Sequence, residues 1–239
     1  MCAVAKLARI HPCCTQTNRL REKQVLEITR FTECLHEMAR LQELHNCDVH
    51  PSWHSQGYPF YRAIWTECAE LLDHYGWKWW KHQDSDPDQV KLEIVDIWHF
   101  GLSMLIVHET NLEKVSQHMI ELQATLPAKD FREAVEALAL ASLNGTFEIV
   151  AFMDVLKATP MSLNELYGIY KGKHVLNRFR QANGYKEGHY QKIWQGREDN
   201  VHLAMLVKDL NAFAESFQFD LQHALEQRYR TLALEAGSH

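Results

Sequence analysis

Two pairs of acidic residues, each with a spacing of three, stand on neighbouring segments of the chain. They are Glu67 with Glu70 and Glu93 with Asp96. Residues three apart on an α-helix lie on one face, so two such helices packed side by side would bring four carboxylates together. Oxygen-only ligands of this kind suit Mg²⁺ or Mn²⁺, and protein-bound Mg²⁺ completes its shell with water and substrate phosphates. The pattern predicts an enzyme that acts on a phosphate ester or anhydride.

The alternative is that these acids form a solvated helix face, because acids are rarely buried without partners. The neighbouring residues argue against it. Glu67 lies at the edge of an apolar stripe, and the second pair lies in a segment that is apolar on nearly all sides, from Leu92 to Ile106, which is typical of a central helix. A lone carboxylate removed from water is strongly destabilising, so partners or a metal must compensate. Metal ligation is therefore the favoured interpretation.

Helical periodicity extends over almost the whole chain, and strand signals are nearly absent. Clusters of proline and glycine mark connections, as in residues 47–59, and Asp86 with Pro87 predicts a helix start. We expect an all-α fold with helices over residues 25–46, 60–80, 88–108, 111–125, 128–143, 147–158, 162–183, 199–216 and 221–236.

Length and composition predict one domain. The chain has 239 residues, of which 46% are hydrophobic, as expected for a globular protein with one large core. We expect a single all-α domain over residues 22–239, preceded by a disordered or idiosyncratic extension over residues 1–21.

Charge and cysteine usage limit the function classes. A formal net charge of −6 gives no electrostatic reason to expect nucleic-acid or membrane binding. A local excess of Lys and Arg between Lys171 and Lys192 nevertheless predicts an anion site. The six cysteines show no C-x-x-C spacing, and reduced thiols fit a cytoplasmic protein best.

Two blocks of sequence carry a family resemblance. The first holds residues 67–71 (ECAEL), 77–81 (WKWWK) and 93–100 (EIVDIWHF), and the second extends from Lys171 to Asn200. Together they resemble the dimeric all-α dUTPases of the MazG-like nucleotide pyrophosphohydrolase superfamily. The resemblance implies a homodimer with a helical core and a mobile helical part. It also implies Mg²⁺-dependent cleavage of dUTP, and of dUDP, to dUMP.

The resemblance implies roles for particular residues. Glu67, Glu70, Glu93 and Asp96 would hold Mg²⁺, for which Mn²⁺ could substitute, and Glu70 is our choice for the carboxylate that deprotonates the attacking water. The phosphate groups would be bound by four basic side chains and one tyrosine of the second block, namely Lys173, Arg180, Tyr185, Lys186 and Lys192. Uracil and deoxyribose would contact three amides and three aromatic side chains, namely Gln42, Asn46, Asn177, Trp80, His99 and Phe100.

Two other functions remain open from the sequence. A MazG-type pyrophosphohydrolase of different specificity, acting for example on dCTP, would share the four acids without needing the block from Lys171 to Asn200. A helical binding protein without enzymatic activity would use the acids only for structure.

Overall fold

A computed structural model describes residues 12–236, with side chains placed for residues 21–230. Over these residues the backbone forms nine α-helices, a short 3₁₀ helix at Trp53–Ser55 and one two-stranded hairpin. This confirms the predicted all-α fold. The elements are α1 Pro12–Val49, α2 Phe60–Tyr75, α3 Pro87–Val107, α4 Leu112–Thr125, α5 Phe131–Leu143, α6 Ile149–Ala158, α7 Leu163–Ala182, β1 Ile193–Trp194, β2 Arg197–Glu198, α8 Asp199–Asp209 and α9 Phe217–Ala236.

The predicted extension overlaps the first helix. Residue 21 lies inside α1, which begins at Pro12. Residues 1–11 lie outside the described part of the chain, and for them the disordered extension stays a prediction. No helix among the described residues is long and apolar enough to cross a membrane.

Helix α2 ends five residues earlier than its sequence pattern predicts. The prediction that it continues to Trp80 was wrong, because Gly76 follows Tyr75 with φ at +90°, a conformation that glycine adopts without steric cost. Gln83 Oε1 then accepts hydrogen bonds from the backbone N–H groups of Trp77 and Lys78. The Trp77–Lys81 segment is therefore a turn that leads to α3.

Helices α3 and α7 begin at side-chain caps that the sequence predicts. Asp86 accepts from the N–H groups of Asp88 and Gln89, with Pro87 in the first turn. Ser162 and Glu165 form a reciprocal capping box at the start of α7. These caps satisfy backbone donors of the two helices that contribute most to the site.

The region after α7 contains a hairpin that was not predicted. Ile193 pairs with Glu198 and Trp194 with Arg197. The two turn residues, Gln195 and Gly196, both have positive φ, as a tight two-residue hairpin turn requires. Helix α8 ends at Asp209, earlier than the predicted residue 216.

Two hydrophobic clusters form the interior. The larger one is built from α1 to α7 and includes Trp98, whose ring stacks on Phe152 at 5.0 Å between centroids. The smaller one is built from α7, α8, α9 and the hairpin, with Trp194 fully buried. Helix α3 contributes Leu92 to the smaller cluster and most of its other buried side chains to the larger one. Helices α3 and α7 therefore join the two parts, and they carry several of the predicted site residues, among them Asp96 and Lys173.

Candidate metal and nucleotide site

Three of the four predicted metal ligands lie together. Helix α2 packs against α3, and one carboxylate oxygen from each of Glu67, Glu93 and Asp96 lies within 4.8 Å of the other two. Glu93 is buried, and Glu67 and Asp96 are half-buried. The helical spacing of the second pair and the packing of the two helices thus produce an acidic group large enough for one divalent cation.

The carboxylates of this group destabilise one another's charge. Burial raises the pKa of Glu67 to about 8, and repulsion from Asp96, Glu93 and Glu70, together with a hydrogen bond to Glu93, adds to the shift. Burial also raises the pKa of Glu93, with repulsion from Asp96 acting in the same direction. Acids in this state gain from a bound cation, because a cation favours their charged form.

Glu70 occupies a different position from the other three acids. Its side chain is exposed, and it is not part of the group whose oxygens lie within 4.8 Å of one another. Its negative charge still acts on Glu67 and on Glu93. Its roles as a ligand and as the base therefore stay predictions.

Lys173 contacts the acidic group directly. Its Nζ lies 2.6 Å from Asp96 Oδ2 and 3.5 Å from Asn200 Oδ1. The side chain is only 5% exposed, so this ion pair is shielded from solvent more than a surface pair is. A predicted phosphate ligand from α7 is thus held against a predicted metal ligand from α3.

Arg180 is held by a buried acid. Its guanidinium makes two 2.8 Å hydrogen bonds to the carboxylate of Asp199, which is fully buried and also accepts from the Tyr190 hydroxyl. Burial alone would lower the pKa of Arg180, but Asp199 raises it. The two terminal nitrogens of Arg180 also donate to the side-chain oxygens of Asn177 and Asn200. Sequence reasoning missed Asp199, although it stands in the resembling block at the start of α8.

The other predicted phosphate ligands lie between α7 and α8. Tyr185 and Lys186 are exposed, and Lys192 pairs with Glu198 at 3.3 Å. Asn177, predicted to contact the nucleoside, lies beside Arg180 and so belongs to this cationic side of the site.

A buried hydrogen-bond network joins α1, α3 and α7. Gln42 Nε2 donates to Asn46 Oδ1 at 3.0 Å, and Gln42 Oε1 accepts from Tyr170 Oη and His99 Nδ1, both at 2.8 Å. Asn46 Nδ2 donates to Ser103 Oγ. The structure therefore brings together three of the predicted base contacts, Gln42, Asn46 and His99.

The aromatic side chains differ in placement. His99 stacks on Tyr170 with 4.2 Å between centroids, and Phe100 is half-buried against the larger cluster. Trp80 is 57% exposed and contacts Trp77 and Trp79 edge-on. Trp80 is thus part of an exposed tryptophan turn and not of the buried network.

Two buried histidines have a ring nitrogen without a hydrogen-bond partner. These atoms are Nε2 of His99 and Nε2 of His174. Burial lowers the pKa of His99 well below its usual value and that of His174 to about 3, so both rings are neutral. Because Gln42 Oε1 is an acceptor, His99 donates from Nδ1 and its Nε2 carries a free lone pair. Sequence reasoning missed His174, although it stands in the resembling block that begins at Lys171.

The fold and the site together are those of an all-α nucleotide hydrolase. The family profile described as dUTPase matches residues 34–185, which is more than half of the chain. The chain therefore belongs to the all-α dimeric dUTPase family and is a hydrolase of the dUTP diphosphatase type, acting in nucleotide metabolism. A comparison with curated proteins found no match. The matched range contains the acidic group and the buried network, whereas Lys186, Lys192 and Asp199 lie beyond it.

Proposed function

We propose that the protein hydrolyses dUTP to dUMP and pyrophosphate, and dUDP to dUMP and phosphate, with Mg²⁺ bound by carboxylates of α2 and α3. The observation that carries this proposal is the group formed by Glu67, Glu93 and Asp96 in a chain of the dUTPase family. Family membership supports the substrate dUTP, and the acidic group supports the metal.

The residues of the acidic group fit a hard divalent cation. All the donors are carboxylate oxygens, which suit Mg²⁺ or Mn²⁺. Burial and mutual repulsion raise the pKa values of Glu67 and Glu93, and a bound cation would favour their charged forms. Glu67, Glu93 and Asp96 would hold the ion, and Glu70 would complete the set. When bound, Mg²⁺ neutralises phosphate charge and makes a coordinated water more acidic.

Glu70 is suited to receive the proton of the attacking water. Its carboxylate stands one helical turn from Glu67 on the solvent side of the acidic group. The water oxygen forms a bond to phosphorus, the anhydride P–O bond breaks, and its electron pair leaves with pyrophosphate from dUTP or with phosphate from dUDP. The proton passes to Glu70 and from there to solvent, which is why an exposed position suits the base.

Positive side chains on α7 and on the segment after it would bind the phosphates. Lys173 already lies at the acidic group, and a substrate phosphate could replace Asp96 as its partner when Asp96 binds the cation. Arg180 is oriented by Asp199, and a planar guanidinium suits phosphate oxygens. Tyr185, Lys186 and Lys192 would add further contacts from the exposed segment.

The buried network would recognise uracil. Uracil presents a donor at N3 between two carbonyl acceptors, and His99 Nε2 offers an unpartnered acceptor. Amide groups of Gln42 and Asn46 supply donors and acceptors in the same network. Phe100 and Trp80 would form walls and Asn177 would contact the deoxyribose, in each case as the family resemblance implies.

The deciding experiment is hydrolysis of dUTP, dUDP, dCTP, dTTP and dATP with Mg²⁺ or with EDTA. We expect turnover of dUTP and dUDP only, dependent on Mg²⁺, with Glu67→Gln lowering kcat by at least about 100-fold through loss of a ligand. The matched control is Glu136→Gln, which removes an exposed acid from α5 and should leave kcat unchanged.

Other results of this assay would redirect the proposal. Selective turnover of dCTP would keep the metal site and reject the uracil site, and Gln42→Ala would then leave the nucleotide preference unchanged. Absence of turnover in a folded, Mg²⁺-saturated protein would favour a binding role. The homodimer and the cytoplasmic location stay predictions; the former is tested by analytical ultracentrifugation.

A further inference from the structure

A second pocket lies among the hairpin, α8 and α9. Its volume is about 480 Å³, and its walls contain two arginines, a histidine, a methionine and a glutamine, namely Arg197, Arg228, His202, Met205 and Gln195. It shares no lining residue with the acidic group or with the buried network around Gln42. Its chemistry therefore needs an explanation separate from dUTP hydrolysis.

His202 fixes one of the two arginines. The ring is buried, and its Nε2 lies 2.9 Å from the backbone oxygen of Trp194. A carbonyl only accepts, so Nε2 carries the proton and Nδ1 is an acceptor. Arg228 Nη1 donates to this Nδ1 at 3.1 Å. A buried neutral histidine thus holds the Arg228 guanidinium at the pocket without cancelling its charge.

The second arginine meets the first at a shared neighbour. Arg197 Nη1 lies 3.6 Å from Met205 Sδ, and Arg228 Nη1 lies 4.0 Å from the same sulfur. The thioether is a weak acceptor and carries no charge. The two guanidinium groups are therefore near each other across a side chain that does not neutralise either of them.

No carboxylate neutralises these two arginines within the described side chains. The nearby acids on their own elements have other partners: Glu198 pairs with Lys192, and Glu226 pairs with Arg230. Like charges in proximity repel, so the arrangement is less favourable without an anion than with one. Each guanidinium also keeps donors that are not directed at His202 or Met205.

We propose that this pocket is an oxyanion site that binds phosphate or pyrophosphate outside the catalytic centre. Planar guanidinium forks match the oxygens of a phosphoryl group, and two of them suit an anion with more than one negative charge. Pyrophosphate offers oxygens to both arginines at once, which favours it over a single phosphate. An anion there would also fix the hairpin to α9, because His202 connects Trp194 to Arg228.

The test is a calorimetric titration of the full chain with inorganic phosphate and, separately, with pyrophosphate. EDTA is present so that no divalent metal supports binding at the acidic group. We expect Arg228→Gln and Arg197→Gln each to weaken binding by at least about tenfold, the usual effect of losing a charge-assisted hydrogen bond. Arg21→Gln, which removes the same charge from an exposed position on α1, is the matched control and should bind as the unaltered protein does.

Three outcomes would overturn the proposal. The first is wild-type affinity in both Arg228→Gln and Arg197→Gln. The second is complete loss of binding in Lys186→Gln, which would assign all phosphate binding to the catalytic centre. The third is no binding to the unaltered protein. Circular dichroism and thermal unfolding of each variant identify a loss of fold, and Arg197, being exposed, supplies a variant that does not disturb the core.

Discussion

At the scale of single residues, burial determines the charge state of the site. It raises the pKa of Glu67 and lowers that of His99 and His174, since low polarity disfavours every charged form. The acids therefore favour a cation, and the histidines stay neutral acceptors beside the amides of α1. Burial therefore has two effects: it makes the acidic group favour a bound cation, and it keeps the histidines of the buried network uncharged.

The buried His174 ring should make stability depend on pH. Its pKa is about 3 in the folded protein and about 6.5 when exposed, so the unfolded chain binds a proton first as pH falls. The stabilising contribution is fully present above pH 6.5 and is progressively lost below it. When the pH falls from 7 to 5, the free energy of unfolding measured with urea should decrease by about 2 kcal/mol less in His174→Gln than in the unaltered protein.

The control for this prediction is His118→Gln, because His118 is exposed on α4. It should lose stability with falling pH as steeply as the unaltered protein does. An equally steep loss in His174→Gln would contradict the prediction and show that protonation of this ring does not limit acid stability.

Sequence reasoning reached these residues unequally. Spacing of three placed Glu93 and Asp96 on one face of α3, which is local information. The contact of Lys173 with Asp96 joins residues 77 positions apart. The hydrogen bonds between Arg180 and Asp199 form because α8 packs beside α7. Such contacts follow from tertiary packing, which a periodic pattern in one chain does not specify.

At the scale of elements, glycines decide where helices end and how closely they pack. Gly76 ends α2 through its positive φ, whereas the apolar periodicity continues through the tryptophans and so predicted too long a helix. Gly101 has another role. It lies in the middle of α3, where a Cβ atom would lie 2.4 Å from the Phe147 ring. The ring fills the space that the missing side chain leaves.

We expect Gly101→Ala to destabilise the protein. Alanine favours the helix by up to about 1 kcal/mol over glycine, but overpacking against the Phe147 ring costs about 1–3 kcal/mol. Because the 2.4 Å approach to the ring is severe, the cost should lie in the upper part of that range, and the net loss in urea unfolding should be about 1–2 kcal/mol. In a protein that already carries Phe147→Leu, adding Gly101→Ala should cost less stability than it does in the unaltered protein, because the smaller side chain leaves room for the new Cβ atom. Stabilisation by Gly101→Ala would show that Phe147 moves away freely.

At the scale of the whole molecule, the site lies where two hydrophobic clusters meet. Glu93 and Asp96 belong to α3 and Lys173 belongs to α7, and these are the helices that contribute to both clusters. Asn200, on α8 of the smaller cluster, contacts Lys173 and Arg180. A ligand at this junction would contact both parts, so its binding energy would stabilise their packing as well as the site itself.

Mg²⁺ should therefore raise the stability of the folded protein. Without metal, the pKa of Glu67 is about 8 in the folded protein against a usual 4.5. The folded protein therefore holds this proton more tightly than the unfolded chain, and the resulting stabilisation, fully present below pH 4.5, is lost as the pH rises through 8. A cation reverses this loss, and its effect should grow from pH 6 to pH 8 because protons compete less for the carboxylates. At 100 times its Kd, Mg²⁺ contributes about 2.7 kcal/mol.

The measurement is thermal unfolding at pH 6, 7 and 8 with Mg²⁺ or with EDTA. The Tm difference should increase with pH in the unaltered protein and in Glu136→Gln. It should be small at every pH in Glu93→Gln, whose apo form should also be more stable at pH 8 because one repelling charge is gone. Equal Tm values with Mg²⁺ and EDTA at pH 8 would mean that the carboxylates of α2 and α3 bind no metal in the free protein, and the ion would then have to arrive with the nucleotide.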